Sequence, residues 1–113
     1  MADVDRQALG RASRSRGIGR ENKVKEQLEG DGYTVYRVTH GAADLIAGRL
    51  DKWLGKVLLI QVKATIGPYD KFGPKRREEL RHDAEALGMT ALLIHWPKGA
   101  REPSWLYEWD WPS

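Results

Sequence analysis

The sequence predicts one α/β domain in which helices flank a mixed five-stranded β-sheet, in the order α-β-β-β-α-β-β. Two observations support this fold class: apolar, β-branched runs with alternating polarity, and two helical patterns that end at glycines. The connections between these segments are short, as in compact domains. We expect residues 1–15 to form a basic, mobile arm and residues 16–113 to form the domain, since 113 residues suffice for one modest core.

The predicted helices cover residues 17–29 and 74–87, the second with Pro74 in its first turn and Gly88 after its end. The predicted strands are, in chain order, residues 33–38, 44–47, 57–65, 90–96 and 104–109. Short turns favour an antiparallel arrangement of the first three strands, with residues 48–55 as a loop that carries Trp53 and Leu54. The second helix makes the fourth strand parallel to the third. On this helix we expect an inward face made of Leu80, Ala84 and Leu87.

Composition limits the class of protein. With 19 basic and 16 acidic residues the formal net charge is +3, a mild preference for anionic partners. Cysteine is absent, which excludes disulfides and thiolate metal sites. No apolar run approaches the roughly 20 residues of a membrane span, and the polar N-terminus lacks a secretory signal pattern. We therefore expect a soluble protein of the cytoplasm.

Polar residues interrupt the central strand where a buried strand should be apolar. Because side chains alternate, Gln61 and Lys63 point to one face and Ile60 and Val62 to the other. Asp44 begins the neighbouring strand. Burying an unpaired charge is costly, so we expect these three polar side chains to face one another in a pocket.

Glu21 lies within the apolar stripe of the first helix, between Ile18 and Val24. A carboxylate at that position has two interpretations. Either it pairs with one of the arginines of the chain, or it points at the pocket of Asp44, Gln61 and Lys63 and binds a metal or water there.

These segments resemble the PD-(D/E)XK nucleases, and most closely the archaeal-type Holliday junction resolvases with their small phage relatives. An acid begins one strand, and an acid or amide, any residue and a lysine follow on the next, here Ala43-Asp44 and Gln61-Val62-Lys63. Ala43 replaces the usual proline, and Gln61 the usual glutamate. Residues 16–21, which read RGIGRE, match the basic residue, glycine and glutamate that open that family.

The resemblance implies a restriction-endonuclease-like fold and a structure-specific endodeoxyribonuclease of DNA recombination and repair that resolves four-way junctions as a homodimer. It implies Mg²⁺ as the cofactor, with Mn²⁺ as a substitute. The implied catalytic set is Glu21, Asp44, Gln61 and Lys63. Expected metal ligands are Asp44, Gln61, the Val62 carbonyl and, through water, Glu21. Two alternatives stay open: a nuclease for a flap, fork or duplex, and an inactive DNA-binding relative, which Gln61 and Ala43 favour.

Basic residues cluster before the first helix and at the start of the second, where they favour phosphate contacts. The expected DNA-binding residues are Arg14, Arg16, Arg20, Lys23, Lys71, Lys75, Arg76 and Arg77. His40, His82 and His95 lack metal-ligand spacing, and we interpret them as ordinary surface or core residues. His40, next to the pocket strand, is the only one that stays a candidate ligand. The aromatic residues of the last strand, Trp105, Tyr107 and Trp109, are expected to cover the core or a subunit contact.

Overall fold

The computed structural model describes residues 19–50 and 55–112, and the predicted order of elements is confirmed. Residues 19–30 form helix α1. The remaining elements are β1 (Thr34–Arg37), β2 (Leu45–Leu50), β3 (Gly55–Lys63), α2 (Pro74–Ala86), β4 (Thr90–His95), β5 (Ser104–Tyr107) and a 3₁₀ turn (Glu108–Asp110). The predicted basic arm and the residues Trp53 and Leu54 lie outside the described residues. No helix in the described ranges is long and apolar enough to cross a membrane.

The five strands form one mixed sheet in the order β1-β2-β3-β4-β5. The first three strands are antiparallel, β4 runs parallel to β3, and β5 is antiparallel to β4. This is the predicted arrangement, because a short turn between neighbouring strands reverses the direction of the chain. Helix α2, in contrast, carries the chain back so that β4 runs in the same direction as β3. The carboxyl ends of β3 and β4 therefore lie together at one edge of the sheet.

Both helices end in the same way, which sets the direction of the strand that follows. At the end of α1 the N–H of Tyr33 donates to the Leu28 carbonyl, and Gly32 adopts a positive φ of 95°. At the end of α2 the N–H of Met89 donates to the Ala84 carbonyl, and Gly88 has a φ of 69°. This pair of features is the Schellman motif, in which a glycine avoids the strain of a left-handed residue.

Each face of the sheet packs against one helix. The face toward α1 buries an aliphatic cluster in which Val24 and Leu28 of the helix contact strand residues such as Ile60. The face toward α2 buries Phe72, Leu80 and other residues around Leu59. Side chains alternate along β3, so Gln61 and Lys63 lie on the same face of the sheet as Leu59. The polar end of β3 therefore belongs to the face toward α2.

Several predicted boundaries are wrong. Gly48 to Leu50 extend β2 and Gly55 begins β3, so much of the predicted 48–55 loop is strand. Strand β3 ends at Lys63 rather than at Thr65. Gly48 interrupts the apolar pattern but does not end β2, because it still pairs with Val57 of β3 in the antiparallel ladder.

The predicted inward face of α2 is also wrong at one position. Leu87 follows the last helical residue and is 59% exposed, whereas Arg77, one turn before Leu80, is buried. Strand β5 ends at Tyr107, and Trp109 lies in the following 3₁₀ turn and is 68% exposed. Its ring stacks on Tyr107 with centroids 4.9 Å apart instead of covering the core.

Candidate active site

Asp44 is held against the carboxyl end of β3 by the way β2 begins. Its backbone N–H donates to the Ile60 carbonyl at 2.7 Å, and the regular ladder starts at the next residue, Leu45. The Asp44 side chain then takes the place of a strand partner, since its Oδ2 accepts the Val62 N–H at 2.8 Å. Gly41 enters this turn with a positive φ of 85°, a conformation that glycine adopts without strain. The carboxylate is therefore fixed by backbone geometry.

Glu21 reaches the same place from helix α1. Its Oε2 accepts a hydrogen bond from Nη1 of Arg37 at 3.2 Å, and its carboxyl also shares a hydrogen bond with Asp44. Glu21 thus pairs with an arginine, as the first interpretation predicted, and also faces Asp44. That it binds a metal or water there stays a prediction. The arginine is the last residue of β1 rather than one of the basic residues near the N-terminus.

Burial raises the pKa of both carboxyl groups. Burial, the negative charge of Asp44 and the shared hydrogen bond raise the pKa of Glu21 to about 7, while Arg37 opposes the shift. Burial also raises the pKa of Asp44, against the hydrogen bonds from Val62 and Glu21 and the charge of Lys63. Since a carboxylate cannot donate, a hydrogen bond between the two groups requires that one of them is protonated.

Lys63 lies near Asp44 at the end of β3. Burial lowers the pKa of Lys63, Asp44 opposes that change, and the charges of Arg76 and Lys71 add to it. Lys71 and Arg76 therefore lie within electrostatic range of Lys63, which itself interacts with Asp44. Gln61 is half-buried, and its amide nitrogen lies 3.4 Å from the Val62 carbonyl oxygen. The structure thus places Glu21, Asp44 and Lys63 together and sets Gln61 beside the backbone carbonyl that was predicted as a ligand.

The donor set suits a hard divalent cation. Asp44, Glu21, the Gln61 amide and the Val62 carbonyl offer the oxygen ligands that Mg²⁺ prefers, and Mg²⁺ usually binds to only one or two carboxylates. A cation that bound at this pair would displace the shared proton into solvent. No group of three or more His, Cys, Asp or Glu side chains within residues 19–50 and 55–112 is arranged to hold a metal. The predicted site needs only two carboxylates, so the residues present fit the predicted cofactor.

The basic residues predicted to bind DNA have different surroundings. Arg20 and Lys23 lie over the Trp96 ring, at 5.6 and 5.0 Å from its centroid. Lys71, Lys75 and Arg76 are exposed. Arg14 and Arg16 lie outside the described residues.

The prediction is wrong for Arg77. Its side chain is buried, donates to the Phe72 carbonyl at 2.9 Å and lies over the Tyr69 ring. It supports the loop before α2 and does not reach the surface where a phosphate would bind.

Sequence reasoning missed two residues near the site. Arg37 follows an ordinary strand pattern, and its contact with Glu21 depends on the β1–β2 register that places it opposite Leu45. His95, interpreted only as an ordinary surface or core residue, is buried and bonds through Nε2 to the Thr65 carbonyl at 2.6 Å. The available signal was the short turn between β1 and β2, which brings the end of β1 beside Asp44.

Comparisons with known proteins give a fold relationship. No protein-family model matches the sequence, and no curated protein matches it. Among solved structures, the chain is similar to Hjc, a Holliday junction resolvase of the archaeal hyperthermophile Archaeoglobus fulgidus. The TM-score is 0.62 at 21% sequence identity, over 81% of this chain and 70% of the archaeal chain. The resemblance inferred from the motifs is thus confirmed at the level of the fold: this chain has the fold of an archaeal-type Holliday junction resolvase.

Proposed function

We propose that this protein is a Mg²⁺-dependent endonuclease that resolves four-way DNA junctions as a homodimer. The single observation that carries the proposal is the convergence of Glu21, Asp44 and Lys63 at the end of β3, in a fold shared with an archaeal resolvase. Two symmetric sites suit paired cuts in a substrate with two-fold symmetry.

Each residue has a separate task in this proposal. Asp44, fixed by the Val62 N–H, would hold the cation together with the Gln61 amide and the Val62 carbonyl, and Glu21 would hold it through water. Arg37 holds the Glu21 carboxylate in place. Lys63 offers positive charge to the phosphate oxygens as negative charge develops on them. When bound, Mg²⁺ neutralises charge on the phosphodiester and favours hydrolysis by water.

The decisive variant is Asp44→Asn, because asparagine keeps an oxygen that can accept the Val62 N–H while it removes the charge. We expect metal-dependent cleavage of a labelled four-way junction to fall by at least about a hundredfold. Junction affinity in EDTA should be unchanged or slightly higher, since one negative charge is lost near the DNA.

The control substrate is a linear duplex of equal length, assayed with Mg²⁺ and with EDTA. Symmetric nicks in the junction alone support a resolvase. Equal cutting of duplex or of a flap would favour a nuclease with another DNA target. Retained cleavage by Asp44→Asn would overturn the assignment of the site.

A second candidate is a DNA-binding relative without catalytic activity. One observation favours it: the uncharged Gln61 amide, which lies against the Val62 carbonyl, replaces the usual glutamate. Tight junction binding by the wild-type protein, with no cleavage in Mg²⁺ or Mn²⁺, would support this candidate. Restored cleavage in Gln61→Glu would then show that this position alone limits activity.

A further inference from the structure

Ile66, three residues beyond Lys63, is a hydrophobic residue placed almost entirely in solvent. Its side chain is 96% exposed. Single exposed hydrophobic residues are common on protein surfaces, so exposure alone indicates nothing. Two further features set Ile66 apart: the rigidity of its neighbours and its position beside the candidate active site.

Both neighbours of Ile66 are fixed by hydrogen bonds. The Thr65 carbonyl accepts a bond from His95 at 2.6 Å, and the Thr65 hydroxyl donates to the Gly67 carbonyl at 2.7 Å. The Gly67 N–H in turn donates to Asp70 at 2.8 Å. The backbone on each side of Ile66 is thus tied to β4 or to the loop itself. The side chain projects from a rigid base.

The rest of the loop is anchored in the core. Phe72 is fully buried and packs edge-on against Trp111, with ring centroids 5.5 Å apart. Arg77 holds the Phe72 carbonyl and lies over the Tyr69 ring at 5.1 Å. These contacts leave the loop little freedom to fold Ile66 back onto the protein. A preorganised side chain loses less entropy when it enters a partner.

Basic residues flank this exposed apolar residue along the chain. Three residues span at most roughly 10 Å, so Ile66 and Lys63 can contact the same few nucleotides. Lys71 and Arg76 lie close enough to Lys63 to act on its charge. The one acidic residue between positions 63 and 77, Asp70, is bonded to the Gly67 N–H within the loop. An apolar tip among cations complements DNA, whose phosphates bind cations and whose base steps accept apolar side chains.

We propose that Ile66 is a wedge that inserts between bases at the branch point of the DNA. This proposal rests on the proposed function and adds the feature that selects branched DNA. Base pairs at a branch point are easier to unstack than those inside a continuous duplex, so insertion there meets less resistance. The wedge therefore favours junctions over duplexes, whereas the cations bind both.

The test uses a four-way junction with 2-aminopurine beside the branch point, in EDTA so that the DNA stays intact. We expect wild-type protein to increase the fluorescence as the base unstacks. Ile66→Ser should abolish this increase and weaken junction affinity about tenfold while duplex affinity is unchanged. Ile66→Met, which keeps an apolar side chain, should restore both. The matched control is Leu87→Ser, a 59% exposed position after the far end of α2, which should behave as wild type.

Each other outcome contradicts the wedge. Junction binding without a fluorescence change in the wild type, or wild-type behaviour of Ile66→Ser, would overturn the wedge and leave the nuclease proposal standing. An equal loss of junction and duplex affinity in Ile66→Ser would make Ile66 a general contact. Absence of any DNA binding by the wild-type protein would overturn the wedge and the proposed function together.

Discussion

At the scale of single residues, the carboxyl pair of Glu21 and Asp44 is the most informative feature. A fold that needed only stability would not hold two acids together beside Arg37, since an ion pair needs only one of them. Burial and the charge of the second acid raise the pKa of Glu21 to about 7 and make its ionised form unfavourable in the protein without metal. An unfavourable charge of this kind in a folded protein is typical of a functional site, where a bound ligand stabilises it.

The pair predicts how stability depends on pH. Glu21 has a higher pKa in the folded protein than its ordinary value of 4.5, so the folded state binds more protons. Stability should therefore fall as pH rises from about 4.5 through 7 and then level off. Because Glu21 keeps some contact with solvent, we expect a loss on the order of 1–2 kcal/mol.

The measurement is urea unfolding in EDTA at pH 4.5 and pH 8, for the wild type and for Glu21→Gln. Glutamine cannot ionise and can still donate to Asp44, so the variant should lose less free energy of unfolding between these pH values. Identical losses in both proteins would show that Glu21 is not the group that titrates.

At the scale of elements, three neighbouring cations on α2 have different surroundings although their side chains are chemically similar. Lys75 and Arg76 are exposed, while Arg77 turns inward beneath the loop that carries Ile66. The helical period explains the difference, since Arg77 lies one turn before the buried Leu80 and two before Ala84. A basic residue that lies on the inward stripe of a helix can be recognised as buried once the apolar residues of that stripe are identified.

This difference gives a paired prediction. Arg77→Met leaves the buried Phe72 carbonyl without its donor, and we expect the free energy of unfolding to fall by about 1–3 kcal/mol. Arg76→Met should change stability by less than about 0.5 kcal/mol. It should instead weaken DNA binding and reduce the slope of log affinity against log salt by about 1. Thermal unfolding and salt titrations of junction binding distinguish the two; the opposite pattern would contradict these assignments.

At the scale of the whole molecule, the sequence was sufficient to predict the order and direction of the strands. Short turns forced the antiparallel pairs, and α2 forced the parallel one. The sequence was also sufficient to predict that Asp44, Gln61 and Lys63 lie at neighbouring strand ends, because an acid, an amide and a lysine have no other favourable place in a buried sheet. The ends of β2 and β5 were not predictable, since Gly48 resembles a turn residue and Trp109 resembles a strand residue. The short turn between β1 and β2 places the end of β1 beside Asp44, but the Arg37–Glu21 contact also depends on the position of α1, which no local pattern contains.

The proposed homodimer makes a prediction about how many cuts one assembly can make. Each chain supplies Glu21, Asp44 and Lys63 from its own elements, so a dimer with one Asp44→Asn subunit should cut one strand only.

A supercoiled plasmid that extrudes a cruciform reports the number of cuts directly. Paired cuts within one encounter produce linear DNA, whereas a single cut produces a nicked circle and abolishes the cruciform. We expect linear products from the wild type, nicked circles from the mixed dimer, and uncut plasmid from the double variant. A dimer of two differently tagged wild-type chains is the control. Linear product from the mixed dimer at the wild-type rate would contradict the paired-site proposal, since a single active site would then cut both strands. A monomer by light scattering at micromolar concentration would also contradict it, since one assembly would then hold only one site.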